Sequence, residues 1–405
     1  MRVEVLNTGS ELLLGTTLNT HGAWIGRALQ PLGLRVARQT TVPDGAAIGE
    51  ALAEAVGRGG VVVVTGGLGP TSDDVTREAC AGVLGVELTE DAGSMRAIEE
   101  FFRARGREMA PENRKQSLVP HGGVALPNPN GTAPGVFVPE GAGGAAVFLL
   151  PGPPHEMEPM FRAEVLPRLR EWAGAGEAAG MTELKFVGVG ESAFQRRVDA
   201  ELAAVPGLEF GYCARPGEVD LRLIGNDEAR SAGRAIAGRE FPRQLASDDG
   251  SSLEAAVVRG LLERGWTLAT AESCTGGLIA SRLTDVPGAS AVFTHGFVTY
   301  ANEAKVSLLG VPEELLAVRG AVSEPVARAM AEGALRASGA DVAVAVTGIA
   351  GPDGGTPEKP VGTVFLALAR NDEPTEVRKR FHPQGRAVFK RQVSQDALDW
   401  VRRVV

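Results

Sequence analysis

The sequence predicts an α/β protein. A doubly wound domain spans residues 1–170, a small α+β module spans 181–246, and a second α/β domain spans 253–405. Three observations carry this. The β-branched run Val61–Thr65 has the pattern of a buried parallel strand, and Asp341–Val346 also reads as a strand. Between such runs lie segments with helical spacing, the alternation that builds a sheet covered by helices. Two breaks divide the chain: Glu171–Gly180, rich in Gly, Ala and Glu, and the polar stretch Asp248–Ser252.

In the first domain Val3–Leu6 reads as a short strand, followed by helices over Thr20–Leu32 and Ala46–Val56. After the strand Val61–Thr65, helical spacing covers Asp74–Leu84 and Ala92–Arg105, and Ala145–Leu150 is a further strand stopped by PGPP. The middle module reads as a strand at Leu184–Gly188, a helix near Ser192–Val205 and an alternating strand at Val219–Ile224. In the last domain, helices are expected at Leu253–Arg264, Leu278–Leu283, Pro325–Ser338 and Arg386–Val404. Strands are expected at Thr267–Thr270, Ala291–Tyr300, Asp341–Val346 and Gly362–Leu368.

Composition narrows the function classes. With 44% apolar residues among 405, each half can bury a core. A net charge of −9 argues against broad binding to nucleic acid or anionic membranes. No run of about 20 apolar residues occurs, so no transmembrane span is expected, and MRVEVLNTGSELLLG does not read as a signal peptide. The three cysteines, Cys80, Cys213 and Cys274, form no CxxC pair or disulfide framework, which points to a reducing, cytoplasmic setting.

Two loops with the same spelling follow apolar runs: TGGLGP, in Val61–Asp74, and TGIAGP, in Val342–Gly355. Glycines there let backbone N–H groups approach an anion. In the first loop Gly66, Gly67 and Gly69 lead to Asp73 and Asp74, adjacent carboxylates suited to a divalent cation that bridges phosphates. A Gly-Pro turn with Asp as helix N-cap is the plainer reading. Three more small polar loops, GSELLLG (Gly9–Gly15), NPNGTAPG (Asn128–Gly135) and PGPPHEM (Pro151–Met157), are placed to converge with it at one end of the sheet. His155 reads as a solvated helix-start residue.

Together these four loops resemble the molybdopterin-binding-type domain of the CinA family (competence/damage-inducible protein A). The resemblance implies a molybdenum-cofactor-biosynthesis-like fold and a metal-dependent ADP-ribose pyrophosphatase. It makes Asp73 and Asp74 metal ligands of unspecified identity, and Gly66, Gly67, Gly69, Asn130, Gly131 and Thr132 ligand contacts.

The strongest local signal in the second half is AESCTGG, Ala271–Gly277, which offers Ser273, Cys274 and Thr275 between a strand and a helix. A hydroxyl there can be a nucleophile, an oxyanion donor or a phosphate ligand, or simply belong to a turn. In GASAVFTHGFVTYANEAK, Ser290, Tyr300 and Lys305 lie close in sequence. A desolvated lysine can replace histidine as the base of a serine nucleophile. Arg386, in FHPQGRAVFKRQ, can grip a phosphate or carboxylate bidentately.

AESCTGG, GFVTYANEAK, GAVSEPV and TGIAGPDGG match the CinA carboxy-terminal domain in order and spacing. The resemblance implies hydrolysis of nicotinamide mononucleotide to nicotinate mononucleotide and ammonia, without a cofactor. It gives roles to Ser273, Ser290, Tyr300, Lys305 and Arg386. The expected mechanism has a serine attack, Ser290 by preference, with Tyr300 and Lys305 taking its proton and Ser273 holding the oxyanion; the sequence leaves open which of the two serines is the nucleophile. Thr275, Gly276, Gly348, Gly351 and Arg386 are expected to contact the nucleotide. The middle module resembles a KH-type fold without its basic GXXG loop, so a spacer or dimerisation role is expected rather than nucleic-acid binding. The expected protein is a cytoplasmic homodimer acting on small nucleotides in pyridine-nucleotide salvage. The alternative is a non-catalytic pterin- or nucleotide-binding accessory protein of competence or recombination.

Overall fold

The computed structural model describes residues 1–139, 144–174, 180–371 and 373–405. The boundary expected at Glu171–Gly180 lies largely in 175–179, outside the described residues. The chain forms two compact units, Met1–Gly180 and Met181–Val405.

The first unit contains strands β1 (Val3–Thr8), β2 (Val36–Val42), β3 (Gly60–Thr65), β4 (Leu88–Glu90), β5 (Leu118–Pro120), β6 (Val124–Leu126), β7 (Gly135–Val138) and β8 (Ala145–Leu150). Its main sheet has the order β2-β1-β3-β8-β7-β6. β2, β1, β3 and β8 run parallel, and β7 and β6 add antiparallel partners. Side chains along β3 alternate between two cores: Val61 and Val63 pack with Ile25, Leu29 and Phe161, whereas Val62 and Val64 pack with Leu52 and Val56. Helices therefore cover both faces, which is why the strand reads as an unbroken apolar run. Strand β2, VARQTTV, was not expected from the sequence; it is an edge strand without a buried residue. The helix expected from Asp74 starts at Thr76, which places both aspartates in the preceding turn.

The second unit holds two sheets. Strands β9 (Gly180–Val187), β10 (Glu209–Arg215), β11 (Glu218–Gly225) and β12 (Leu245–Ser247) form one, in the order β10-β11-β9-β12. Helices Glu191–Ala203 and Asp227–Glu240 enclose its core of Phe186, Phe194, Leu221 and Phe241. Strands β13 (Leu268–Glu272), β14 (Phe293–Val298), β15 (Val342–Gly348), β16 (Thr363–Arg370) and β17 (Glu373–Phe381) form the other, in the order β14-β13-β15-β16-β17. Its three leading strands are parallel, and β16 and β17 are antiparallel additions. Along β15, Val342, Val344 and Val346 face one core and Ala343 and Ala345 the other, so this sheet is also covered on both faces.

The middle sheet packs into the same compact unit as the carboxy-terminal domain rather than standing apart from it. A buried polar chain joins them. Arg282, 4% exposed, donates to Glu254, to Ser394 Oγ (2.6 Å) and to Gln395 Oε1 (2.6 Å). Gln395 Nε2 donates to Glu218 (2.8 Å), which accepts from Lys185 (2.7 Å), and Lys185 also donates to Asp220 (2.7 Å).

Candidate functional sites

In the first unit, loops following parallel strands β1, β2, β3 and β8 meet at the carboxyl end of the sheet, where α/β folds hold ligands. They line a cavity of about 420 Å³ with Thr8, Gly9, Glu11, Asp44, Gly66, Gly67, Gly69, Asp73, Asp74, Gln116, Thr132 and Glu156 among its walls. The glycines are sterically required: a Cβ on Gly66 would sit 2.6 Å from Thr8 O, and one on Gly67 would meet Thr76 Oγ1. Both have positive φ, 102° and 64°.

Arg77 holds this architecture from behind. It is fully buried and donates to Leu68 O (2.9 Å) and Pro134 O (3.0 Å), tying the TGGLGP loop to the NPNGTAPG loop. Burial pushes its guanidinium down to about 10. Asp74 accepts from Thr71 N (2.9 Å) and Thr71 Oγ1, so one of its oxygens closes a turn instead of capping a helix. Lys115 Nζ donates to Thr71 O and Asp74 O (2.7 Å each), bracing that turn. Asn130 is exposed and outside the cavity wall, in contrast to Thr132. Gly131 packs under Glu156, with no space for a Cβ, and His155 is solvated as expected.

Glu11, Asp44, Gln116 and Glu156 complete the wall and were not singled out as site residues from sequence. Five carboxylates line the cavity, and among the described residues no lysine, arginine or histidine is part of its wall, although Lys115 braces the Asp74 turn beside it. A polyphosphate would need a cation there, and hard carboxylate oxygens suit a divalent one. Among the described residues, no three His, Cys, Asp or Glu converge into a ready metal cage.

The second unit brings Ser273 and Lys305 together. Ser273 opens the turn after β13, and its N–H bonds Val346 O (3.0 Å) on β15. Lys305 sits on helix Asn302–Leu309 and is 1% exposed. Its Nζ lies 3.2 Å from Ser273 Oγ, 2.8 Å from Thr299 O and 3.3 Å from Tyr300 O. Among the described residues no carboxylate forms an ion pair with it, and burial outweighs the nearby Glu303 charge and holds its pKa below the usual lysine value. A neutral amine has two N–H groups for the two carbonyls and one lone pair for the serine hydroxyl, which is the count this geometry accommodates.

The turn has further features. Buried Glu272 accepts from Ile279 N (3.0 Å) and Ala280 N (2.8 Å), so it saturates the start of helix Leu278–Thr284 and removes that helix end as a phosphate site. Thr275 Oγ1 and Thr299 Oγ1 are buried without a hydrogen-bond partner among the described residues. Cys274 is buried, and its thiol is pushed up to about 12, which leaves it a poor nucleophile.

Ser290, the preferred attacking group of the sequence reading, is not brought into this cluster. It is exposed on the short turn before β14, whose first residue pairs with Leu268 at the start of β13. Ser273 follows the other end of β13. Five strand residues separate the two serines by roughly 16 Å along the sheet. Tyr300 meets Lys305 through its carbonyl, while its hydroxyl accepts from Arg386 (2.7 Å). Arg386 also donates to Gly351 O (2.9 Å), which fixes the TGIAGP loop beside the tyrosine. Gly348 is a packing position, because a Cβ there would lie 2.9 Å from Thr363 O and Val364 Cβ. Gly276 has φ +61° and lies next to Lys390.

Comparison with known proteins agrees with this two-part organisation. A model described as the CinA C-terminal domain matches residues 250–405, and one described as a probable molybdopterin binding domain matches 4–171. A CinA-like protein of Akkermansia muciniphila is 51% identical over 398 residues, covering 98% of this chain and 96% of the relative. A competence-damage inducible protein of Symbiobacterium thermophilum is 52% identical over 378 residues, covering 91% and 88%. The crystal structure of the competence/damage inducible protein CihA from Agrobacterium tumefaciens is 44% identical and covers 37% of this chain and 94% of that one, with a TM-score of 0.35. No helix among the described residues is long and apolar enough to cross a membrane. Near full-length identity of this order places the chain in the CinA family, with a molybdopterin-binding-type domain at its amino end and a CinA carboxy-terminal domain at the other.

Proposed function

We propose that the carboxy-terminal domain hydrolyses the carboxamide of nicotinamide mononucleotide, with Ser273 as nucleophile and Lys305 as general base. The observation that carries this is the buried Lys305 amine, without a carboxylate partner, 3.2 Å from a serine hydroxyl. Ser273 Oγ adds to the amide carbon while neutral Lys305 accepts its proton. The N–H groups of Cys274 and Thr275, which have no backbone acceptor among the described residues, receive the developing oxyanion. The resulting Lys305 ammonium returns the proton to the departing amine, which leaves as ammonia, and an ester to Ser273 remains. Water activated by Lys305 then cleaves that ester, releasing nicotinate mononucleotide and restoring the serine. Arg386 and Tyr300 serve the nucleotide's phosphate end. The test is ammonia release from nicotinamide mononucleotide by the purified full chain; a folded protein that releases none overturns the reading.

The pH profile is a sharper expectation. Only the neutral form of Lys305 is a base, and burial lowers its pKa, so kcat/KM should rise with pH along a limb lying below 10.5, the unperturbed lysine value. Rates measured from pH 6 to 10 would show this limb, and a flat profile would exclude a lysine base.

For the amino-terminal cavity, the proposed activity is metal-dependent cleavage of ADP-ribose to AMP and ribose 5-phosphate. The five carboxylates of the lining favour it, because a divalent cation would offset their repulsion of a pyrophosphate. A divalent ion bound through Asp73 and Asp74 would supply charge neutralisation and polarise the pyrophosphate. The chain's own share is the bare backbone of Gly66–Gly69, positioned by Arg77. Incubating ADP-ribose with a panel of divalent metals should give AMP, and Asp73→Asn with Asp74→Asn should reduce its formation at least about 10²-fold. Equal turnover with chelator present would sink the assignment.

A further inference from the structure

The helix Arg386–Arg402 presents a second cation to the Ser273 turn. Lys390 lies one helical turn beyond Arg386, and side chains four residues apart share a helix face about 5–6 Å apart. A Cβ on Gly276 would lie 3.7 Å from Lys390 Nζ, so the ammonium sits over the same turn that carries Ser273. Lys390 is half-buried. It forms no hydrogen bond or ion pair with any described residue, whereas Arg386 is anchored to Tyr300 and Gly351. The helix start carries no side-chain cap, which leaves its N–H groups and positive end on the Arg386 side.

We infer that Lys390 is the second cation of a phosphate clamp, made with Arg386 and the amino end of this helix. The clamp gives the site its preference for a 5′-phosphorylated nucleotide over the corresponding nucleoside. This rests on the deamidase reading of the Ser273–Lys305 site. Two cationic heads at i and i+4 can meet different oxygens of one phosphate, and the anion offsets a charge that no described residue pairs with. Lys390 acts on binding and takes no part in proton transfer, so its loss separates KM from kcat.

The test uses the full chain with Lys390→Met and Lys390→Arg. For Lys390→Met, KM for nicotinamide mononucleotide should rise about tenfold, with kcat changed by less than about threefold. The inhibition constant of nicotinamide riboside, which lacks the phosphate, should stay as in the wild type, and Lys390→Arg should recover most of the KM. An unchanged KM, or equal weakening of nucleotide and nucleoside, would overturn the clamp. If the wild type releases no ammonia, the deamidase reading fails by itself. The clamp is then judged by calorimetric titration with inorganic phosphate: it stands if Lys390→Met loses a binding event that the wild type shows, and falls if the two titrations coincide.

Discussion

Ser273→Ala should cut ammonia release from nicotinamide mononucleotide by at least about 10³-fold, and Lys305→Met by about 10²–10⁴-fold, while Ser290→Ala stays near wild type. The contrast follows from geometry. Ser273 shares a buried hydrogen bond with Lys305, whereas Ser290 stands exposed at the opposite end of β13 and β14. Lys305→Met adds a stability readout with a definite sign. Since the folded pKa of Lys305 is lowered, the unfolded chain binds more protons between that value and 10.5, and wild-type stability should rise with pH across the window. Lys305→Met should lack this rise, and below the window should be at least as stable as wild type, because a buried ammonium without a carboxylate is costly. Initial rates with intact circular dichroism, and melting temperatures across pH, check both statements. A Ser290→Ala enzyme as dead as Ser273→Ala would refute the assignment.

Arg282→Met should destabilise the second unit by about 3–5 kcal/mol, the expected cost of removing one partner from a buried ion pair. The guanidinium holds Glu254, Ser394 and Gln395 at once, and Gln395 continues to Glu218 and Lys185 on the middle sheet. The substitution strands Glu254 and frees the helix that follows the Ser273 turn. Urea unfolding followed by circular dichroism should show a lower midpoint for the transition of Met181–Val405. The same midpoint as wild type would mean that Glu254 finds another partner or water. The same change at an exposed arginine, such as Arg196→Met, should alter the unfolding free energy by under about 0.5 kcal/mol.

The legible parts of the fold were those with a strong local signal. Strands β3, β8, β13 and β15 carry unbroken apolar runs because both their faces are buried. Strands β2 and β17 did not show, because edge strands such as VARQTTV and EPTEVRKRF keep polar side chains on their exposed face. Asp44 is recognisable only once β2 is in place, since a lone Asp before Gly reads as an ordinary turn. Gln116 lies in a 3₁₀ segment far from any motif, and only folding brings its amide to Leu68 O.

The sequence by itself determined the two α/β halves, the family, the glycine loops and the residue types able to act in each site, because these depend on local patterning and steric need. Tertiary structure alone decided which serine meets the lysine. Ser290 lies ten residues before Tyr300 and fifteen before Lys305, while Ser273 is thirty-two residues from Lys305. Parallel pairing nonetheless brings the ends of β13 and β14 to the same edge and sends the start of β14 to the other. Tertiary structure also divided the two TGxxGP loops. The first lies among five carboxylates, whereas the second is held by an arginine on the helix that also carries Lys390, a lysine with no ion pair among the described residues. The sign of the surrounding charge is a property of the assembled walls, and no six-residue spelling contains it.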